Sequence, residues 1–347
     1  MELKAHTESV ATGREIGSVD AERIARALAD AAVPVADKEA FLEAFSRRGE
    51  TGPELAAFAR AFRSMAVAAG LDSWAPDAID VCGTGGDRSG SFNISTTVAF
   101  ALAASKVPVI KHGNRSISSH CGSADLLEAV GIRIDADEAM RKRSMDELGF
   151  VFLFAPGFHP AFKEIGPVRR ALAARGVRTM FNILGPLLNP AGPAHQVVGV
   201  FAREFVEPVA SALHGIGLRQ GLVLHCCDDE GRRHDELTTC GRNHVVGFGA
   251  LRDVRDSFEA EALGIERAPT SDLAGGDASA NLAVLERVLD GTAPRGLIDT
   301  IVLNTAAALF AVGRVRSIAE GLAPARDVLL GGAVSEWLRR ARAFYRS

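Results

Sequence analysis

Between Ile79 and Asp125 the chain repeats one arrangement: a short apolar run empties into a glycine-rich loop, and the loop ends in hydroxyl residues that open a helix. The first copy reads Ile79-Asp-Val-Cys-Gly-Thr-Gly-Gly-Asp-Arg-Ser-Gly-Ser-Phe-Asn-Ile-Ser-Thr-Thr97 and continues through apolar Val98 to Ala104. The second reads Val107-Pro-Val-Ile-Lys-His-Gly-Asn-Arg-Ser-Ile-Ser-Ser-His-Cys-Gly-Ser-Ala-Asp125. Strands that feed helices in succession belong to a mostly parallel sheet with crossover helices. Glycines let backbone N–H groups close around phosphate oxygens, and each helix start adds unpaired donors and positive dipole. Two such loops flanked by Lys111 and Arg115 suit a ligand with two separated anionic groups.

At 347 residues the chain is long for one domain, which favours two lobes. With 47% hydrophobic and 24% charged residues it reads as soluble and globular. A net charge of −4 offers no global attraction to nucleic acid or anionic lipid, so anion binding must be local. No apolar run approaches the ~18 residues of a membrane span, and the N-terminus does not read as a secretion signal. Five cysteines are too few for a disulfide framework in so long a chain and indicate a reduced cytoplasm.

Residues 1–14 are polar and aperiodic and are expected to fray. Helical spacing begins at Ser18, with Val19, Ile24, Ala27 and Leu28 on one face and Pro34 as the stop. Asp37 opens a second helix, with Phe41, Leu42 and Phe45 inward and Gly49 as its end. Thr51 and Glu54 form a capping box for a third, which carries Leu55, Phe58, Phe62 and Met65 towards Gly70. The first 75 residues thus form a small helical lobe. Its four phenylalanines offer more apolar surface than it can easily bury, which predicts a homodimer through this face.

From residue 76 the pattern is α/β: strands at 79–82, 107–110, 150–154, 197–201 and 221–226, then helices at 281–290, 295–312 and 317–344. The run Val98 to Ala104 is apolar on nearly all sides and predicts a buried helix that shows a ligand only its N-terminus. The segment 165–190, with Pro167-Val-Arg-Arg170 and a proline-punctuated turn, reads as a crossing between lobes that packs on the helical one.

The glycine spacing at Gly83 is wrong for a dinucleotide fingerprint, and no acidic residue ends a second strand at the required distance. Adjacent Asp235 and Glu236 follow a strand on the side where open sheets bind ligands. They suit a magnesium ion that also takes substrate oxygens; the alternative is a solvated turn. The histidines and cysteines between 225 and 244 match no standard zinc spacing.

The motifs Gly83-Thr-Gly-Gly-Asp87, Phe92-Asn-Ile-Ser-Thr96, Lys111-His-Gly-Asn-Arg115 with Ser118-Ser119, Gly122-Ser-Ala-Asp125, Pro167-Val-Arg-Arg170, Arg178-Thr-Met-Phe-Asn-Ile-Leu-Gly-Pro186 and Asp235-Glu236 occur in the same order in one family. In them the chain resembles the anthranilate phosphoribosyltransferases of tryptophan biosynthesis. The resemblance implies a helical lobe, an α/β lobe of the nucleoside phosphorylase/phosphoribosyltransferase kind, a homodimer, and transfer of phosphoribosyl from phosphoribosyl pyrophosphate to anthranilate. It implies phosphoribosyl pyrophosphate at Gly83, Gly86, Asp87, Ser91, Asn93, Thr96, Lys111, Ser119 and Ser123. Magnesium falls to Ser95, Asp235 and Glu236, anthranilate to Gly83, Asn114 and Arg169, and no residue serves as a general acid or base. The stretch Arg169 to Thr179 is three residues longer than in the family pattern, Phe162 stands where methionine is common, and Cys121 where serine is common. The other readings are a pyrimidine nucleoside phosphorylase-like enzyme, which leaves Asp235-Glu236 unexplained, and a non-catalytic nucleic-acid-binding paralogue, which the net charge opposes.

Overall fold

The computed structural model describes residues 2–115 and 121–346. Four helices come first: α1 (Glu2–Ala11), α2 (Ser18–Ala29), α3 (Val35–Arg48) and α4 (Gly52–Ser64). The expected fraying of the N-terminus does not occur. Leu3 and Val10 lie two turns apart on one face of α1 and are buried as it packs across α3. Two large apolar residues in ten are too sparse a signal to read as a period. In α2 the inward residues are Ala21, Ile24, Ala25 and Leu28, whereas Val19 is 63% exposed, contrary to expectation. Glu54 closes the capping box, accepting from Thr51 N at 3.0 Å and Thr51 Oγ at 2.8 Å. Helix α4 stops at Ser64, short of Gly70.

Phe41, Phe45, Phe58 and Phe62 are all at most 1% exposed. Phe62 meets Phe162 and Phe181 of the crossing segment at ring distances of 5.5 and 5.4 Å. The apolar surplus that predicted a self-association face is therefore covered by the chain itself.

The sheet strands are β1 (Ile79–Gly83), β2 (Val109–Gly113), β3 (Phe150–Phe154), β4 (His195–Gly199), β5 (Gln220–Asp228), β6 (Arg233–His234), β7 (Gly241–Gly249) and β8 (Arg255–Glu259). Their order is β3-β2-β1-β4-β5-β7-β8, with β6 paired to β5. The first five strands of that order are parallel; β6, β7 and β8 extend it antiparallel. β7 and β8 had no sequence expectation, since β7 is interrupted by glycine and β8 is largely polar and exposed.

Helices α5 (Ile94–Ala104), α6 (Ser123–Val130) and α7 (Glu138–Leu148) link the first strands. The crossing segment holds α8 (Ala155–Phe158), α9 (Phe162–Ala174) and α10 (Phe181–Leu184), and α11 (Val206–Gly215) joins β4 to β5. The chain ends in α12 (Ala278–Leu289), α13 (Arg295–Ala311), α14 (Ile318–Leu330) and α15 (Ala333–Arg346). The single helix expected over 317–344 breaks at Gly331-Gly332, where Gly332 takes φ +88°.

One sheet face packs on α5, α13 and α15 around Phe100, Phe150 and Trp337. The other face supplies Val198, Val223 and Phe248 to the cluster that fills the helical lobe, so that lobe has no core of its own apart from the sheet. α9 bridges α2 and α3, while α11 packs on α4, where a Cβ on Gly52 would fall 2.5 Å from Ser211 Cβ. Among the described residues no helix is long and apolar enough to cross a membrane.

Candidate active site

The chain leaves β1 towards one side of the sheet and β4 towards the other, so a crevice opens where these neighbours end. Both strands end in glycine, Gly83 opposite Gly199. A Cβ on Gly83 would fall 2.3 Å from Asp235 Oδ2, and one on Gly199 would fall 1.4 Å from the Asp235 carbonyl oxygen. Only glycine at both strand ends lets Asp235 lie directly over the switch point.

The first loop is shaped by that carboxylate. Gly85 N donates to Asp235 Oδ2 at 2.7 Å, Thr84 N donates to the Gly199 carbonyl at 2.9 Å, and Thr84 Oγ accepts from Phe201 N at 3.1 Å. Gly85 and Gly86 take φ +66° and +81°, values open to glycine at no steric cost. Asp87 Oδ1 accepts from Ser89 N at 3.3 Å, and Ser91 Oγ accepts from Ser89 Oγ at 2.9 Å. The loop returns to the sheet lobe through a bridge between Ser91 and Ala274.

At the start of α5, Ser95 N donates to Glu236 Oε1 at 3.1 Å. Lys111 reaches this point through the core, only 1% exposed, and its ammonium donates to the Val81 carbonyl and, at 3.4 Å, to Ser95 Oγ. Asn93 braces two loops: its Nδ2 donates to the Cys121 carbonyl at 3.1 Å while its Oδ1 accepts from Asn281 Nδ2 at 2.8 Å. Thr96 is buried in the first turn of α5.

Three carboxyl groups crowd this spot. Burial pushes Asp235 well above the usual carboxylate range, and the charges of Asp87 and Glu236 add to the shift. Burial also raises Glu236, to about 8, against the pull of Lys111. Carboxyl groups so placed are costly to ionise without a compensating cation, and their hard oxygens suit magnesium. Asp87 acts on the pair through its charge, but among the described residues no three His, Cys, Asp or Glu side chains are grouped so as to hold a metal ion, so Asp235 and Glu236 would form only part of a shell.

At the second loop, the Asn114 carbonyl accepts from Ser123 Oγ at 3.2 Å and from Ala124 N at 3.3 Å, and its Oδ1 accepts from Arg115 N at 2.7 Å. Ser123 opens α6, close enough to β2 that a Cβ on Gly113 would meet its Oγ at 2.4 Å. Arg115, expected beside an anion, instead pairs with Asp125 at 2.8 Å and Glu128 at 2.6 Å. Ser119, with Ser118, lies outside the described residues.

Arg169 lies half-buried on α9, 5.7 Å over the Phe181 ring, and burial lowers its pKa. Among the described residues it has no ion-pair partner. Arg175, by contrast, is paired with Glu39 at 3.1 Å and Glu43 at 3.6 Å. The additional residues fall at the end of α9, beyond Arg169.

Sequence reasoning did not foresee His112 and His159. Their rings meet at 5.1 Å beside Phe162, each with a buried Nε2 that has no hydrogen-bond partner among the described residues, and burial holds them neutral with pKa values of about 3 and 4. Nor did it foresee Asp80, buried in β1 and held by Asn189 at 2.9 Å. Each stands in a strand or proline-rich turn where nothing local marks it as polar core.

A family model described as glycosyl transferase family, a/b domain, matches residues 75–335. The chain is 44% identical over 303 residues to the anthranilate phosphoribosyltransferase of Roseiflexus sp. (strain RS-1), covering 87% of this chain and 86% of that one. The crystal structure of anthranilate phosphoribosyltransferase from Thermus thermophilus superposes with a TM-score of 0.87 at 40% identity, with 99% of each chain covered. The fold also matches that of the Saccharomyces cerevisiae enzyme in complex with PRPP and Mg, with a TM-score of 0.83 at 22% identity, covering 99% of this chain and 98% of that one.

Proposed function

The chain belongs to the anthranilate phosphoribosyltransferase family, and from that premise we propose how its residues divide the reaction. It transfers the phosphoribosyl group of 5-phosphoribosyl 1-pyrophosphate to the amine of anthranilate, in tryptophan biosynthesis, and releases pyrophosphate. The observation that carries the division of labour is the stacking of Asp235 on Gly83 and Gly199, with Asp87 and Glu236 beside it.

The bond from sugar C1 to the pyrophosphate oxygen breaks, the bond from C1 to the anthranilate nitrogen forms, and that nitrogen loses a proton. The sugar passes through an oxocarbenium-like state, so the enzyme must align the partners and stabilise the leaving charge more than it must supply a strong base. Backbone N–H groups at Gly83, Gly86 and Asp87, with Ser91, Asn93 and Thr96, line one anion loop. Lys111, Ser119 and Ser123 serve the second. Asn93 keeps the two loops in register through Cys121, and Lys111 holds a positive charge beneath both.

Asp235, Glu236 and Ser95 would hold magnesium, which when bound neutralises pyrophosphate charge. The raised carboxyl pKa values support this, since both groups are costly as bare anions. The yeast relative was solved with Mg.

For the acceptor, Arg169 pairs with the anthranilate carboxylate and Asn114 contributes an amide, while Gly83 meets the acceptor through its backbone, since Asp235 fills the space beside its Cα. A half-buried guanidinium with no carboxylate partner among the described residues supports that role, and the two pairs made by Arg175 favour Arg169 over it. We also propose a two-lobed division at residues 75 and 76, a cytoplasmic homodimer formed through the helical lobe, and no nucleic-acid or membrane partner. The dimer rests on the family resemblance, since the phenylalanines expected to form it are buried.

The test is pyrophosphate release from phosphoribosyl pyrophosphate, magnesium and anthranilate mixed with the chain. Release that needs all three supports the reading. Phosphate-dependent cleavage of a pyrimidine nucleoside, with no pyrophosphate released, would replace it.

A further inference from the structure

Arg178 has no part in the division of labour above, yet it touches the glycine loop. It sits in the crossing segment after α9, with its guanidinium 4.2 Å over the Phe201 ring. Nη2 donates to the Gly86 carbonyl at 3.3 Å. Its own carbonyl accepts from Ser46 Oγ of α3 at 2.6 Å. One residue therefore joins the helical lobe, the turn that follows β4 and the anion loop.

The contact matters because of what it grips. A trans peptide is planar, so the Gly86 carbonyl and the Asp87 N–H point in opposite directions. Gly85 and Gly86, both at positive φ, have no Cβ to oppose rotation of the peptides around them. A free Gly–Gly loop would present its N–H groups in many directions and lose entropy when phosphate ordered it. Asp235 already fixes the Gly85 N–H. Arg178 grips the next peptide but one, from its carbonyl side, and so turns the Asp87 N–H the other way.

We propose that Arg178 is a positioning residue: it orients the Gly86–Asp87 peptide for the pyrophosphate group and, through Ser46, makes the shape of the anion loop depend on the seat of the helical lobe. This rests on the proposed function. A positive charge alone is not sufficient, because a planar guanidinium can lie on Phe201 and donate sideways while a lysine ammonium cannot do both.

The experiment is calorimetric titration of magnesium phosphoribosyl pyrophosphate into the parent, Arg178→Gln, Arg178→Lys and Ser46→Ala, with KM measured for both substrates. Loss of a charge-assisted bond to the loop should weaken phosphoribosyl pyrophosphate about tenfold in Arg178→Gln, with the anthranilate KM within about twofold. Arg178→Lys should keep most of that deficit, and Ser46→Ala should show a smaller one, about threefold, confined to the same substrate. Equal binding by folded Arg178→Gln and parent would overturn the proposal, as would a fall in kcat with both KM values unchanged. If Arg178→Gln does not fold, Ser46→Ala decides, and parent-like binding there overturns the link to the helical lobe. A parent chain that fails to bind the probe refutes the functional reading itself, whereas a binding parent with indifferent variants refutes only the role of Arg178.

Discussion

Gly83→Ala tests the stacking of loop and carboxylate most directly. The new Cβ falls 2.3 Å from Asp235 Oδ2 and 2.7 Å from its Cγ. Ordinary C···O contacts begin near 3.3 Å, so about 1 Å must be found. The backbone cannot supply it, because Gly83 is paired with Gly199 and the Asp235 carbonyl already lies against Gly199. The carboxylate must therefore retreat, and the 2.7 Å bond from Gly85 N lengthens past about 3.5 Å and is lost. A hydrogen bond to a charged group contributes about 1.5–3 kcal/mol net, which is about 10- to 100-fold in affinity. Gly83 is not at positive φ, so alanine adds no backbone strain and the fold should survive. Calorimetry with magnesium phosphoribosyl pyrophosphate should show that loss, while a circular-dichroism melt stays within a few degrees of the parent. A folded variant that binds within about twofold of the parent would refute the argument.

Asp235→Asn with Glu236→Gln should abolish the magnesium dependence of phosphoribosyl pyrophosphate binding while leaving the melting temperature equal or higher, since two carboxyls held above their usual range no longer oppose folding; full turnover at ordinary magnesium would contradict it. Arg169→Ala should raise the anthranilate KM by about 10- to 100-fold with the phosphoribosyl pyrophosphate KM unchanged, whereas Arg175→Ala, which loses two exposed pairs, should alter stability by less than about 1 kcal/mol and neither KM. The reverse pattern in steady-state kinetics would move the carboxylate site to Arg175. For pH, His112 and His159 have folded pKa values near 3 and 4, below the ordinary 6.5. Their neutral forms stabilise the fold fully above pH 6.5, and that contribution is lost as pH falls through 4 towards 3. Melting temperature should fall across that window, and less steeply in His112→Gln; an unchanged slope would show that His112 is not the group being titrated.

Much of this protein was legible along the chain because its signals are local. A capping box needs only Thr51 and Glu54, and an all-round apolar helix needs only Val98 to Ala104. The strand–glycine–helix repeats announce a parallel sheet with glycine loops at its helix starts, since turning a strand into a helix is work for a handful of adjacent residues. What the tertiary structure decided depends on residues far apart in sequence. Gly83 and Gly199 are glycines for the same reason, Asp235, and no window of sequence contains all three. Four phenylalanines that looked surplus to a small lobe are buried because they pack on one another in series and Phe162 and Phe181 return to cover Phe62 at the end of the row. Arg169 and Arg175 are chemically identical and six positions apart, and only the carboxylates of α3 make one a tie and leave the other without a pair among the described residues. Local steric and hydrogen-bond rules act over a turn of chain and can be read from it. Burial and charge pairing act through space, and they exist only once the chain has closed.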